Sequence, residues 1–202
     1  MKNKHAILTG GKGKNERVEN DLYETPEFFV NELLKKEKFN IDILEPACGN
    51  GRISKTLIQN GYNVYSTDII QRNYICEKKD FISDHFEQNK YDIITNPPYC
   101  LMYEFIIKAS LTARNKFAFV GRIQLLEGLN RYNDIYKNGI NNFRLKTVLC
   151  SVKRLNFIQE SSFKNTSAMM SAWFIFEKNY KDLPKIDWVN FNNQCNNLFN
   201  FY

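Results

Sequence analysis

A run of Tyr91-Asp92-Ile93-Ile94 stops at Thr95-Asn96-Pro97-Pro98-Tyr99, and no other stretch restricts the fold of this chain as much. Consecutive prolines cannot continue a strand ladder, because each lacks an N–H and each confines the residue before it to extended geometry. The backbone is therefore fixed where it leaves the sheet. Placed at that exit are a short carboxamide, a rigid carbonyl-rich turn and an aromatic face. The Asn96 amide oxygen and the Pro97 carbonyl can both accept hydrogen bonds from one planar exocyclic amine, while Tyr99 stacks on the ring that carries it. A Pro-Pro pair taken alone is better read as a strand terminator beside a core tyrosine. The surrounding chain decides between the two.

Alternating strands and helices surround this turn. Strands are expected at 41–44, 62–67, 91–95, 116–120, 147–152 and 172–177, with helices at 27–38, 52–60, 104–112 and 125–136. That rhythm is the one of a parallel, doubly wound α/β sheet. A Ser, Asn and Thr-rich loop at 159–167 precedes the last strand, and the Asn-rich end, with Trp188 and Phe191, is expected to pack back on the sheet. Residues 1–20 read as a mobile basic tail and 21–202 as one domain. The tail's Gly10-Gly11-Lys12-Gly13-Lys14 has no strand before it, and Asn15 stands where a phosphate loop needs Ser or Thr.

The second informative stretch is Leu44-Glu45-Pro46-Ala47-Cys48-Gly49-Asn50-Gly51, at the carboxyl end of the first sheet strand. Glycines there let a ligand approach the backbone closely. An acidic residue in such a turn repels pyrophosphate and suits an amine-bearing or cationic ligand, so Glu45 argues against a nicotinamide dinucleotide and for a methionine-derived sulfonium cofactor. Asp68 ends the next strand, where acidic residues bind a ribose diol. Asp80-Phe81 offers a carboxylate for an adenine amine and a ring or amide for its face. Singly, Asp68 and Asp80 could equally be caps or solvated loop acids. Their order along four strand ends is what makes one composite signal.

Composition sets outer limits. Net charge is +6 with a pI of about 9.0, which has the right sign for a polyanionic partner. Five cysteines are scattered with no CxxC pair, so neither a disulfide framework nor a zinc site is supported. Neither histidine, His5 or His85, lies in a motif. No apolar run is long enough to span a bilayer and no signal-peptide core is present, so a soluble, cytoplasmic protein is expected.

Together these residues resemble the S-adenosylmethionine-dependent amino-methyltransferases, in particular the DNA adenine-N6 enzymes of the gamma arrangement, in which the cofactor motif precedes the catalytic one. The match runs over residues 23–178. It implies a Rossmann-like class I methyltransferase: a mostly parallel seven-stranded sheet with an antiparallel last strand and helices on both faces. By the same resemblance, Tyr23-Glu24-Thr25-Pro26 is an upstream cofactor motif in which the threonine and its neighbours close over the methionine end. Glu45, Ala47, Gly49 and Gly51 form the glycine turn, Asp68 the ribose acid, and Asp80 with Phe81 the adenine pair. Asn96, Pro97, Pro98 and Tyr99 form the catalytic quartet, with Asn96 also beside the cofactor. Leu126-Glu127-Gly128 with Arg131, and 153–157 leading to Ala172-Trp173-Phe174, resemble small phage and prophage members.

The resemblance implies S-adenosyl-L-methionine as cofactor and nucleic acid as partner, DNA before RNA, with monomer and homodimer both open. Arg122, Arg131, Lys153, Arg154 and Lys164 are candidate phosphate contacts and Phe157 a candidate stacking partner, although ordinary surface cations account equally well for each taken singly. The sequence lacks the large target-recognition domain of restriction-associated enzymes. The quartet also occurs in enzymes that methylate RNA adenine or a protein glutamine amide, since each acceptor is a planar NH2. A partner subunit without catalysis ranks below the enzyme, because the quartet is whole.

Overall fold

The computed structural model describes residues 24–153, 155 and 170–190. Its centre is a single eight-stranded sheet. In chain order the strands are β1 (Asp42–Glu45), β2 (Asn63–Asp68), β3 (Glu77–Lys78), β4 (Asp92–Thr95), β5 (Lys116–Arg122), β6 (Phe143–Ser151), β7 (Ser171–Lys178) and β8 (Lys185–Val189). They lie in the order β3-β2-β1-β4-β5-β7-β6-β8. All neighbours are parallel except β7, which runs antiparallel to both β5 and β6. This is the Rossmann-like class I methyltransferase arrangement, with one strand more than the seven expected. The antiparallel strand is the one expected at 172–177, but it is not the last. Beyond it, β8 pairs with β6 at the sheet edge.

Chain order reverses between β1 and β4. From β1 the chain runs outward to β2 and β3, then returns to place β4 on the other side, with Ile43 opposite Asp92 and Leu44 opposite Ile93. Two adjacent parallel strands whose following segments diverge leave a crevice at their carboxyl ends. The glycine turn follows β1 and the Asn-Pro-Pro-Tyr turn follows β4, so both open at this reversal, one interstrand spacing of about 4.8 Å apart.

Alternation along the strands builds two cores. Helices α1 (Glu27–Lys36) and α2 (Arg52–Gln59) cover one face, where Phe29, Leu33, Ile53 and Leu57 meet Ile43, Ile94, Val120 and Trp173. Trp173 is fully buried, stacks on Phe29 at 5.4 Å and donates its indole N–H to the Phe29 carbonyl at 2.9 Å. Helix α3 (Met102–Thr112) covers the other face, where Phe105 and Ile106 pack with Ile93, Phe117, Phe119 and Phe174. The crossing from β3 to β4 has no helix, only turns, and Phe81 and Phe86 fill that side of the core.

Three expectations are corrected. The helix expected at 125–136 is broken into a 3-10 turn (Ile123–Leu126), a single α turn (Leu129–Arg131) and a π turn (Tyr132–Tyr136). Gly128, at φ 119°, breaks the run, and Leu126, Leu129 and Tyr132 are all exposed, so no continuous apolar stripe holds a helix there. The helix expected at 27–38 stops at Lys36, because Glu37 turns extended (φ −136°, ψ 143°). Segment 185–189 does join the sheet, but Trp188 projects outward and is 56% exposed. Among the described residues no helix is long and apolar enough to cross a membrane.

The edge opposite the crevice is tied by charge. Glu37 accepts from Lys116 at 2.6 Å and from Lys146 at 2.9 Å, and Glu177 closes the cluster by accepting from Lys146 at 2.7 Å. Burial raises the Glu37 carboxyl, but the two lysine ammoniums outweigh it, and its pKa ends below the ordinary 4.5. A lowered folded pKa contributes stability that is present above pH 4.5 and lost as pH falls through the folded value. Glu37→Gln is expected to flatten the acid limb of the stability–pH profile while changing its slope above pH 6 little. Urea midpoints measured from about pH 7 down to pH 3 check this; an unchanged acid limb contradicts it.

Candidate active site

The glycine turn is held by carboxylates from three directions. Glu45 ends β1, is 1% exposed, and accepts from both the hydroxyl and the backbone N–H of Ser54. Ser54 sits in the first turn of α2, a helix with no acidic residue of its own there, and Glu45 satisfies one of the N–H groups left open at its N-terminus. The Ser54 hydroxyl continues to Ser66 at 2.6 Å, which links the turn to β2. Burial pushes the Glu45 carboxyl well above the carboxylate range; Ser54 draws it down and the Asp68 charge adds to the rise.

Asp68, at the end of β2, accepts the Gly49 N–H through Oδ2 at 2.8 Å and the Ile70 N–H through Oδ1 at 2.9 Å. It thereby staples the turn to β2. Each carboxylate oxygen can accept twice, so a ribose hydroxyl adds to these bonds without replacing them. Gly49 and Gly51 both have positive φ, 55° and 74°. At Gly51, however, the group that exploits the missing side chain is Tyr74: a Cβ would stand 2.2 Å from its ring. Ala47 is half-buried against the α3-side core and Cys48 is buried. Burial pushes the Cys48 thiol up, with Cys76, Glu45 and Asp68 adding, so it is not an activated nucleophile.

Asp80 accepts the Ile82 N–H through Oδ1 at 2.9 Å and the Ser83 hydroxyl through Oδ2 at 3.0 Å, which fixes it on its own turn with acceptor capacity left. The ring of Phe81 is 1% exposed and packs on Phe105 at 5.1 Å and Phe86 at 5.4 Å. It is a core ring, so what Phe81 can offer a ligand is its backbone amide. Of the upstream motif, Thr25 is 2% exposed and its hydroxyl has no hydrogen-bond partner among the described residues, while Pro26 caps α1 without a side-chain bond. Glu24 reaches across to the turn, accepting from Asn50 at 2.9 Å and Arg52 at 2.8 Å.

At the end of β4, Asn96 is half-buried, Pro97 buried and Pro98 exposed. Tyr99 opens a 3-10 turn, Tyr99–Leu101, that runs into α3. The guanidinium of Arg122, at the end of β5, lies 4.9 Å from the centroid of the Tyr99 ring, within cation–π range. This ring is thus already in contact with a planar cation. Arg131 is placed otherwise. Its donors hold the carbonyls of Leu125 at 3.0 Å, Gln124 at 3.3 Å and Glu127, so it braces the 124–127 turn rather than facing phosphate. Lys153 is exposed just beyond β6, and Tyr23, Arg154, Phe157, Lys164 and Phe191 lie outside the described residues.

The structure therefore places the 45–51 turn, Asp68 and the Asn96 turn at the carboxyl ends of β1, β2 and β4, and Glu24, next to Thr25, bonds to the first of them. Sequence reading placed Glu24 and Asn50 inside motifs without a role for either, and missed Arg52, Ser54 and Tyr74. Ser54 carried a local signal, since it lies three residues past Gly51 at a helix start. The Glu24 contacts span 26 and 28 residues and left no local trace.

No protein-family model matches the chain and no curated protein sequence matches it. Solved structures do. A candidate class I S-adenosylmethionine-dependent methyltransferase from Listeria monocytogenes aligns with TM-score 0.54 and 13% identity, over 81% of this chain and 63% of its own. The modification subunit of a candidate type I restriction enzyme from Vibrio vulnificus aligns with TM-score 0.57 and 11% identity, over 86% and 48%. A candidate RNA methyltransferase from Pyrococcus horikoshii aligns with TM-score 0.58 and 14% identity, over 87% and 95%. At these identities the likeness carries the fold: this chain has the class I methyltransferase fold, and it spans less than two thirds of the length of the first two structures.

Gly51→Ala is expected to destabilise the chain by about 2–4 kcal/mol, combining left-handed backbone strain with the clash on Tyr74. Pairing it with Tyr74→Ala should return about half of the loss, leaving the backbone share. Urea unfolding of the two single variants and the double variant measures it; strict additivity would contradict the contact.

Proposed function

We propose that the chain is an S-adenosylmethionine-dependent methyltransferase whose acceptor is an exocyclic amine, the N6 group of adenine in DNA. The observation that carries this reading is the direct pairing of β1 with β4, which opens the glycine turn and the Asn96-Pro97-Pro98-Tyr99 turn at one edge of the sheet. The residues fit the cofactor. Buried Thr25 keeps a hydroxyl in need of a partner, and Asp68 retains acceptor capacity beside the turn.

The bound cofactor supplies a methyl group on a sulfonium centre, and the chain's own residues prepare the acceptor. An exocyclic amine conjugated with its ring is a weak nucleophile. The side-chain oxygen of Asn96 and the carbonyl of Pro97 accept hydrogen bonds from its two N–H groups, orient the nitrogen lone pair and stabilise positive charge as it develops there, and the one surplus proton leaves to solvent after the methyl group is transferred. Such acceptors strengthen as the charge grows, so they favour the transition state over the ground state. Tyr99 supplies a stacking surface for the ring, and Arg122 lies in cation–π contact with it. A duplex base must be extruded first, at a cost of a few kcal/mol.

RNA adenine is the second reading, favoured by the likeness to the Pyrococcus horikoshii protein, which extends over 95% of that shorter chain. A protein glutamine amide offers the same planar NH2. Incubating the chain with methyl-labelled cofactor and separate DNA, RNA and protein pools distinguishes the three. Label in DNA, released as N6-methyladenine on digestion, is the expected result, and label confined to another pool overturns the DNA assignment. Asn96→Ala is expected to lower transfer by a factor of about 100–1,000 while cofactor affinity by calorimetry changes less than about threefold. A collapse of affinity in parallel with activity contradicts the role given to Asn96.

A further inference from the structure

Glu24 belongs by sequence to the upstream segment but makes its contacts with the glycine turn. One oxygen accepts from the Asn50 side chain at 2.9 Å and the other from Arg52 Nε at 2.8 Å. Asn50 lies between the two left-handed glycines, and Arg52 follows the second as the first residue of α2. The carboxylate is the better buried member of the ion pair, with its side chain 12% exposed against 41% for Arg52. Directly after it comes Thr25, buried and with an unpartnered hydroxyl, and then Pro26, which starts α1 with no side-chain cap to fix the entry of the chain.

We infer that Glu24 is a positioning residue that latches segment 24–26 onto the glycine turn, so that the rate at which this latch opens governs how fast the ligand of the turn departs. The inference rests on the reading above that this ligand is S-adenosylmethionine. Two soft positions, Gly49 and Gly51, flank the residue that Glu24 grips, and a two-pronged carboxylate restrains both the turn and the segment beside it at once. Truncating the buried partner of such a pair acts chiefly on dissociation, whereas capture of a small ligand by the open form is little changed.

The test uses S-adenosylhomocysteine as probe, with stopped-flow dissociation from the full chain. Glu24→Ala is expected to raise the off-rate about tenfold with the on-rate within about twofold. Arg52→Glu should behave likewise, and the exchanged pair E24R/R52E should recover most of the loss. Urea midpoints of the ligand-free variants separate this from a merely structural role, which would lower stability and leave the off-rate where it was. An off-rate unchanged in Glu24→Ala overturns the latch. Should the wild-type chain take up no S-adenosylhomocysteine, the cofactor reading fails by itself. The latch is then judged on amide exchange over residues 24–30 of the free protein. Exchange about tenfold faster in Glu24→Ala upholds the latch, and unchanged exchange overturns it.

Discussion

The parallel pairing of β1 with β4 is the constraint on which the rest depends. Only four residues form each strand, yet Ile43 and Leu44 opposite Asp92 and Ile93 set where two otherwise unrelated turns emerge. A slip of one residue would send the buried set of either strand to the wrong face, exchanging the α1/α2 core for the α3 core. Buried Asp92 opposes such a slip. Its carboxylate accepts the backbone N–H groups of Asn40, Asn115 and Lys116, which locks the start of β4 to the chain entering β1 and to the start of β5. The apolar faces therefore choose the register, and one buried acid at the far edge pins it.

At the crevice edge the same chemistry recurs with a different purpose. Three acidic residues hold the glycine turn and the start of α2: Glu45 through Ser54, Asp68 through Gly49, and Glu24 through Asn50 and Arg52. A turn with two left-handed glycines has little stiffness of its own, and these bonds supply it without placing side-chain bulk over the backbone. The concentration of negative charge has an electrostatic consequence. Burial pushes the Glu45 carboxyl well above its ordinary range, and the Asp68 charge adds to the rise.

Much of this was legible in the sequence because each strand is bounded by residues with a single structural use. Pro97 and Pro98 can only end β4, and Gly49 and Gly51 mark a turn needing positive φ. The alternation of Phe117, Ala118, Phe119 and Val120 told of a strand covered on both faces. What escaped detection depended on distance or on competition. Strand β3 is two residues long and exposed, and β8 alternates too weakly to stand out from the Asn-rich stretch around it. The 125–136 segment has helical spacing, but between its buried ends Leu125 and Ile135 the residues Leu126, Leu129 and Tyr132 are exposed, so Gly128 prevails. At the site, Phe81 has the right position in the motif and its ring lies in the core. Arg131 looked like a free cation until its donors were found on backbone carbonyls.

The most direct measurement is a crystal structure of the chain with S-adenosylhomocysteine bound. The account predicts the ligand over the 45–51 turn, its ribose on Asp68, its sulfur facing the Asn96 side chain and the Pro97 carbonyl, and Thr25 at its amino-acid end. A ligand seated on another edge of the sheet, or a crevice between the two turns closed by packed side chains in the complex, would contradict it.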